Sequence, residues 1–101
     1  MEEIQVEIGQ EQSINIGEFV FNFKFNPFDR EWIFDIIDPL TQETILYNIV
    51  IKPNTYPLDG IDTKYDLPRI CMIDKYPDQT TELNPINDFG NRLGLFEITE
   101  G

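Results

Sequence analysis

The sequence predicts an all-β fold: a single small antiparallel β-sandwich or barrel of about seven strands with two long loops. Apolar residues alternate with polar ones along most segments, and clusters of turn residues separate those segments at short intervals. The chain has 101 residues, which is enough for one modest hydrophobic core. We therefore expect residues 1–101 to form one β-domain.

The clearest strand lies at 19–25, where four Phe alternate with mostly polar residues. A helix would scatter these rings around its circumference, so the alternation predicts a half-buried strand. Gly17-Glu18 predicts a tight hairpin turn that joins this strand to one at 13–16. A further alternating stretch predicts an earlier strand at 4–8.

The rest of the chain continues the same alternation of strands and turns. After a turn at 26–30, the run at 32–37 is apolar on nearly both faces, which predicts a central strand covered on both sides. A second turn begins at Asp38-Pro39, and further strands are predicted at 45–51, 67–74 and 92–99, the last with a bulge at Gly94. The long connections at 53–69 and 75–91 are expected to carry contacts to other molecules.

The composition excludes several kinds of function. The chain has 19 Asp and Glu against 7 Lys and Arg, a net charge of −12, with no His and one Cys. Without His there is no imidazole base and no His-ligated metal, and one Cys cannot form an intrachain disulfide or a Cys cluster. The charge opposes binding to nucleic acid or to anionic membrane. With no secretory signal and no membrane-spanning apolar stretch, we expect a soluble cytosolic product without membrane insertion.

Carboxylates are the abundant chemical groups, so they supply the candidates for a site. Asp35 and Asp38 flank two Ile and suggest paired acid–base chemistry of the kind used on glycosides, although strand-end and turn hydrogen bonds explain them better. A second candidate is a cation site in an acidic loop, although the EF-hand pattern is absent. Its residues are Asp59, Asp62 and Asp66.

Cys71 lies inside a predicted strand, where a buried inert thiol is the better interpretation. The chain contains no catalytic, cofactor-binding or metal-binding residue that can be assigned with a mechanism. The sequence therefore predicts a protein that is not an enzyme and that needs no cofactor.

Several segments, spread over nearly the whole chain, together match the pattern of one family. They are the aromatic strand ending in Asn26, the run 32–36 with the D-P turn after it, the run 45–51, the loop 56–58, the run 67–74 and the stretch 87–98. In this order they resemble the baseplate plug family of contractile-tailed phages. The chain departs from that family at Asn48, where Gly is favoured, and near Leu58-Asp59, where a Leu-Leu pair is favoured. Asn tolerates positive φ well, so the first departure is mild.

The resemblance implies a mechanical function. Such a protein is a structural part of the phage or prophage virion, sits in the tail baseplate and helps to close the tube or hub end, after assembly in the host cytoplasm. The implied partners are hub, tube or baseplate proteins, and a homo-oligomer is left open. An acidic surface would not adhere to DNA passing through the tube, so no nucleic-acid binding is expected.

Two other functions remain open. The charge of −12 also suits an acidic DNA mimic, or another inhibitor domain, that occupies the basic groove of a protein. The third hypothesis is a glycosidase that uses Asp35, which predicts that Asp35→Asn abolishes turnover.

Overall fold

The computed structural model describes residues 1–99, which fold into seven strands arranged in two antiparallel sheets. The strands are β1 (Glu2–Glu3), β2 (Gln12–Ile16), β3 (Phe19–Asn26), β4 (Glu31–Ile37), β5 (Thr44–Ile51), β6 (Arg69–Asp74) and β7 (Leu93–Ile98). Because the two sheets are separate, the chain forms a small β-sandwich rather than a closed barrel. The predicted fold class is confirmed.

The larger sheet is a meander in which β2, β3, β4 and β5 lie side by side in chain order. Burial alternates along β3 because its Phe side chains point into the core and the residues between them point outward. The predicted hairpin between β2 and β3 is confirmed, with Ile16 paired to Phe19 across the turn. Gly17 has a φ of 62°, which the first central position of a type II′ turn requires.

The smaller sheet places β7 between β1 and β6. β7 pairs with β6 along the full length of both strands, from Asp74 and Leu93 at one end to Arg69 and Ile98 at the other. β1 has only two residues. The smaller sheet therefore depends on β7, which bonds both of its neighbours.

The core lies between the sheets and combines aromatic and aliphatic side chains. Phe89, in the loop before β7, contacts Phe23 of β3 and Trp32 of β4, with ring centroids 5.8 and 4.1 Å apart. The largest fully buried side chains are Phe21, Phe23, Phe34, Phe89, Ile36, Ile70, Met72, Leu95 and Cys71. Each large apolar side chain buried in this way contributes about 1.5–3 kcal/mol, so the aromatic and aliphatic residues of this core together stabilise the sandwich.

The strand predicted at 4–8 is wrong, although its alternation has a structural basis. Ile4 and Val6 pack against the core, and Ile4 N–H donates to the Leu95 carbonyl at 2.8 Å. In the register of β1, β7 ends at Leu93, opposite Val6, because the residues before Leu93 form turns. Val6 instead lies against Gly90, where a Cβ atom would come within 3.0 Å of its side chain. The inward positions of Ile4 and Val6 agree with the predicted alternation, but Ile8 is exposed and strand pairing does not continue to residue 8.

The bulge predicted at Gly94 is also wrong. The register of β6 and β7 is continuous through this residue, and the need for Gly comes from packing, since a Cβ atom there would meet the ring of Phe96 at 2.8 Å. The irregular strand is β5, whose register against β4 shifts between Phe34 and Ile36. Asn48 lies at this bulge with a φ of 53°, a conformation that Asn tolerates better than most residues.

β4 is central to its sheet, as predicted, but only one of its faces is covered. Trp32, Phe34 and Ile36 are buried in the core, whereas on the opposite face Asp35 is buried beside its polar partners and Ile33 and Ile37 are only partly buried. The prediction of a strand covered on both sides is therefore wrong for the sandwich that residues 1–99 form.

Candidate interaction surface

Asp35 is buried and both of its carboxylate oxygens are used by the sheet. Oδ2 accepts a hydrogen bond from Lys24 Nζ at 2.8 Å, and Oδ1 accepts one from the backbone N–H of Asn48 at 2.8 Å. The second bond satisfies the N–H of a bulge residue that the β4–β5 ladder leaves unpaired. This carboxylate therefore fixes the bulge and the strand register.

Asp38 serves the turn between β4 and β5. Its Oδ1 accepts the backbone N–H of Leu40 at 2.9 Å, and its backbone carbonyl accepts the N–H of Gln42 at 2.7 Å. These are ordinary hydrogen bonds of an Asx turn. Asp35 and Asp38 thus have separate local partners, and this geometry favours the structural interpretation over paired acid–base chemistry.

The acidic loop does not gather its carboxylates into a metal site. Within residues 1–99, no cluster of three or more His, Cys, Asp or Glu side chains could hold a metal ion. Asp59 instead binds Arg69 through two hydrogen bonds of 3.1 and 2.9 Å, and this guanidinium holds the pKa of Asp59 below its usual range. Arg69 also stacks on the ring of Tyr56, with 4.1 Å from its Cζ to the ring centroid. These contacts hold the loop against β6.

Cys71 lies in β6 and is 1% exposed. Burial raises the pKa of its thiol above the ordinary value, which keeps the sulfur protonated and unreactive at neutral pH. This location agrees with the interpretation of Cys71 as a packed core residue.

Arg92 holds the second long loop, a role that the sequence pattern did not indicate. Its guanidinium donates to both carboxylate oxygens of Asp74 at 2.9 and 3.0 Å and to the carbonyl of Thr81 at 2.7 Å. The hydrogen bonds from Arg92 lower the pKa of Asp74, and this carboxylate in turn raises the pKa of Arg92. The pair joins the end of β6, the start of β7 and the loop between them.

Removal of the Asp74 charge is expected to lower the stability of the protein at neutral pH and to make that stability less sensitive to acid. Because the pKa of Asp74 is lowered from 3.8 in the folded state, its contribution is fully present above that value and is lost as the pH falls through the lowered pKa. Asp74→Asn should therefore reduce stability at pH 7 and flatten the loss of stability below about pH 4. Urea unfolding at a series of pH values measures both effects. If the free energy of unfolding falls equally steeply with pH in acid for the variant and the natural chain, this assignment is wrong.

Two apolar side chains are almost fully exposed at the two turns that flank β4. Phe28 is 95% exposed in the β3–β4 turn, and Leu40 is 93% exposed in the β4–β5 turn. Each follows an Asx-Pro pair, and in each turn the Asx oxygen accepts the backbone N–H two residues on, at 3.1 Å from Phe28 and 2.9 Å from Leu40. We call Phe28 and Leu40 the β4 tips. Their turns are fixed by proline and by these hydrogen bonds, so the exposed side chains are held in place.

The β4 tips could have been found from the sequence. Both turns have the order Asx, Pro, large apolar residue, and an apolar side chain between turn residues has no strand face on which to be buried. The sequence interpretation placed turns at both positions but assigned contacts to the long loops instead. Isolated exposed apolar residues are common on protein surfaces, so the repeated turn geometry is the informative observation.

A cavity of about 260 Å³ lies at the end of the sandwich where β4 begins. Its wall is mainly apolar and includes Trp32, Ile51, Met72, Leu83, Pro85 and Leu93. Two exposed basic residues, Arg30 and Lys52, also line it. Lys52 Nζ lies 3.4 Å from a carboxylate oxygen of Glu31. Among the Lys and Arg side chains of residues 1–99, Arg30 is the one with neither an ion pair nor a ring contact.

The sheet edges differ in how open they are. Residues after β5 cover part of β6, because Asn54 N–H donates to the Met72 carbonyl at 2.6 Å. β5 is an edge strand that carries exposed Tyr47, but its register shifts make it a poor template for another strand. The structure therefore favours contacts through side chains at the ends of the sandwich over pairing along β5.

The buried polar side chains of the described residues do not indicate a ligand-binding site. Within the described part of the chain, every buried side-chain nitrogen and oxygen has a hydrogen-bond partner, and no helix is long and apolar enough to cross a membrane. Comparison with family models, characterised proteins and solved structures finds no match.

Proposed function

We propose that this protein is a non-enzymatic structural component of a phage or prophage tail baseplate, where it acts by binding neighbouring proteins at the tube or hub end. The observation that carries the proposal is the pair of β4 tips. Phe28 and Leu40 are more than nine-tenths exposed on turns that share one hydrogen-bonding pattern. Rigid turns lose little conformational entropy on binding, and large apolar anchors supply much of the binding energy at protein interfaces.

The positions of the β4 tips suit a protein that lies between two neighbouring proteins in an assembly. β4 has seven residues, so at about 3.3 Å per residue it separates the two turns by roughly 23 Å. A neighbour can therefore be contacted at each end of the larger sheet. The sequence resemblance is the basis for proposing a location in the baseplate. The β4 tips support a function in assembly.

The charge of the protein is compatible with a position next to the tube. The net charge is −12, and like charges repel the phosphates of DNA that passes close by. The same charge would steer the protein toward basic surfaces on hub or tube proteins, and this attraction would weaken at high salt.

Quantitative mass spectrometry of purified tail particles tests the proposal. Particles from the phage or induced lysogen that encodes this chain should contain it at a fixed ratio to hub and tube proteins. Phe28→Ser should lower its abundance in particles, because the anchor is lost while the fold is kept. Tyr76→Ser is the matched control, since Tyr76 is also an exposed aromatic residue, at 51%, but lies outside the β4 tips. If purified particles lack the natural chain, the baseplate proposal is wrong.

The acidic inhibitor remains the second candidate, and the charge of −12 is what favours it. In that case affinity capture should recover a basic nuclease or repressor, with binding that falls steeply as salt is raised. Absence from tail particles together with such a partner would replace the first proposal with this one.

A further inference from the structure

The two ends of β4 carry features that complement each other in shape and charge. One end holds Leu40, an exposed apolar side chain, between the carboxylates of Asp38 and Glu43. The other end holds the apolar cavity with Arg30 and Lys52 along its lining. The cavity lining also includes Glu31, which pairs with Lys52, so within residues 1–99 Arg30 is the lining cation without an ion pair. The chain thus carries an exposed apolar side chain with acidic neighbours at one end of β4 and an apolar cavity beside Arg30 at the other.

We propose that the Leu40 turn of one copy docks in the cavity of a second copy, so that the protein associates head to tail. A cavity of about 150 Å³ can hold a benzene molecule, and this one measures about 260 Å³, which leaves room for a leucine side chain. Its partly exposed apolar residues, Pro53, Leu83 and Pro85, offer the contacts that Leu40 lacks within its own chain.

Charge complementarity identifies a second copy as the occupant. In a chain of net charge −12, Arg30 keeps its guanidinium out of any ion pair within residues 1–99. The Leu40 turn brings two carboxylates to it, from Asp38 and Glu43. An ion pair between a guanidinium and a carboxylate stabilises the contact and also fixes the orientation of the two copies, because the planar guanidinium matches the geometry of the carboxylate.

The contact is heterologous, since it joins different surfaces of the two copies. After one contact forms, a tip is still free at one end and a cavity at the other, so further copies can add to a ring or an open filament. The inference concerns the purified chain alone and does not depend on the baseplate proposal. It assigns the Leu40 tip to self-association and leaves the Phe28 tip for other proteins.

Sedimentation velocity and light scattering over a concentration series test the inference. The weight-average mass of the natural chain should rise above the 11.9 kDa monomer as concentration increases. Leu40→Ser should weaken association by about tenfold or more, as expected for loss of a central apolar anchor. Arg30→Glu should weaken it similarly and should remove most of its salt dependence. Tyr47→Ser, which removes another exposed ring outside both surfaces, should associate like the natural chain.

A mixing experiment separates this arrangement from a symmetric dimer. Leu40→Ser keeps an intact cavity and Arg30→Glu keeps an intact tip, so an equimolar mixture should form one-to-one dimers that cannot grow. Each variant alone should be mostly monomeric at concentrations where the natural chain associates. At a concentration too low for association, each should have the melting temperature of the natural chain, which shows that both are folded. A natural chain that stays at 11.9 kDa throughout the series, or a mixture that stays monomeric, would overturn the inference.

Discussion

Phe23→Ala is expected to destabilise the protein by about 3–5 kcal/mol, the cost of deleting a buried aromatic ring. Phe23 is fully buried and its ring contacts those of Phe21, Phe34 and Phe89 at centroid distances of 6.4, 5.4 and 5.8 Å. The cavity left behind would lie at the junction of the two sheets. Domains have only about 5–15 kcal/mol of stability in total, so this single change should remove a large share of it.

Urea unfolding followed by the fluorescence of Trp32 measures this loss, because that ring is buried against Phe89. Phe28→Ala is the matched control: the same chemical change at a residue that is 95% exposed should alter stability by less than about 0.5 kcal/mol. Similar effects for the two variants would mean that the aromatic core is assigned incorrectly.

Asp35→Ala is expected to cost about 1–3 kcal/mol, because it removes the charged acceptor of the part-buried hydrogen bond from the Asn48 N–H in the β5 bulge. Asp35→Asn keeps an oxygen that can accept the Asn48 N–H and loses only the charge pair with Lys24, whose side chain is 39% exposed. Such partly exposed pairs contribute about 0–1 kcal/mol. Asn should therefore be clearly less damaging than Ala in urea unfolding. Equal losses would show that the bulge does not depend on this hydrogen bond.

The same Asp35→Asn variant tests the glycosidase hypothesis. A catalytic Asp35 would give a natural chain that hydrolyses a glycan and a folded variant that does not. The hydrogen bonds of Asp35 explain its burial without catalysis, so we expect no turnover from either protein on cell-wall glycans. Turnover by the natural chain alone would replace the structural interpretation of this residue.

Local patterns predicted the larger sheet because its strands are neighbours in sequence. The alternating Phe of β3 set the inward face, and Gly17 set the hairpin, so both faces and register followed from short-range rules. The error at 4–8 arose because a strand also needs a partner, and the partner here ends at Leu93. That limit is a long-range property that alternation within one segment does not contain.

The candidate surface was harder to predict than the fold. The Asx-Pro turns were visible in the sequence, but the exposure of Phe28 and Leu40 depends on the absence of any segment packed over them in the described part of the chain. The cavity combines residues from β4, β5, β6 and both long loops, so its existence follows only from the tertiary arrangement. Asn48 is an intermediate case. The sequence resemblance indicated a position where Gly is favoured, Asn tolerates a positive φ, and the bulge does require a positive φ there.

The position of β7 has a consequence for the order in which the chain acquires its structure. β7 lies between β1 and β6 but follows both in the sequence, so neither can form its main ladder until the ribosome has released residues 93–98. The meander of β2 to β5 has only neighbouring-strand contacts and small sequence separations, which favours early formation. Nascent chains arrested before β7 should therefore protect amides of the larger sheet from hydrogen exchange while those of β6 exchange freely.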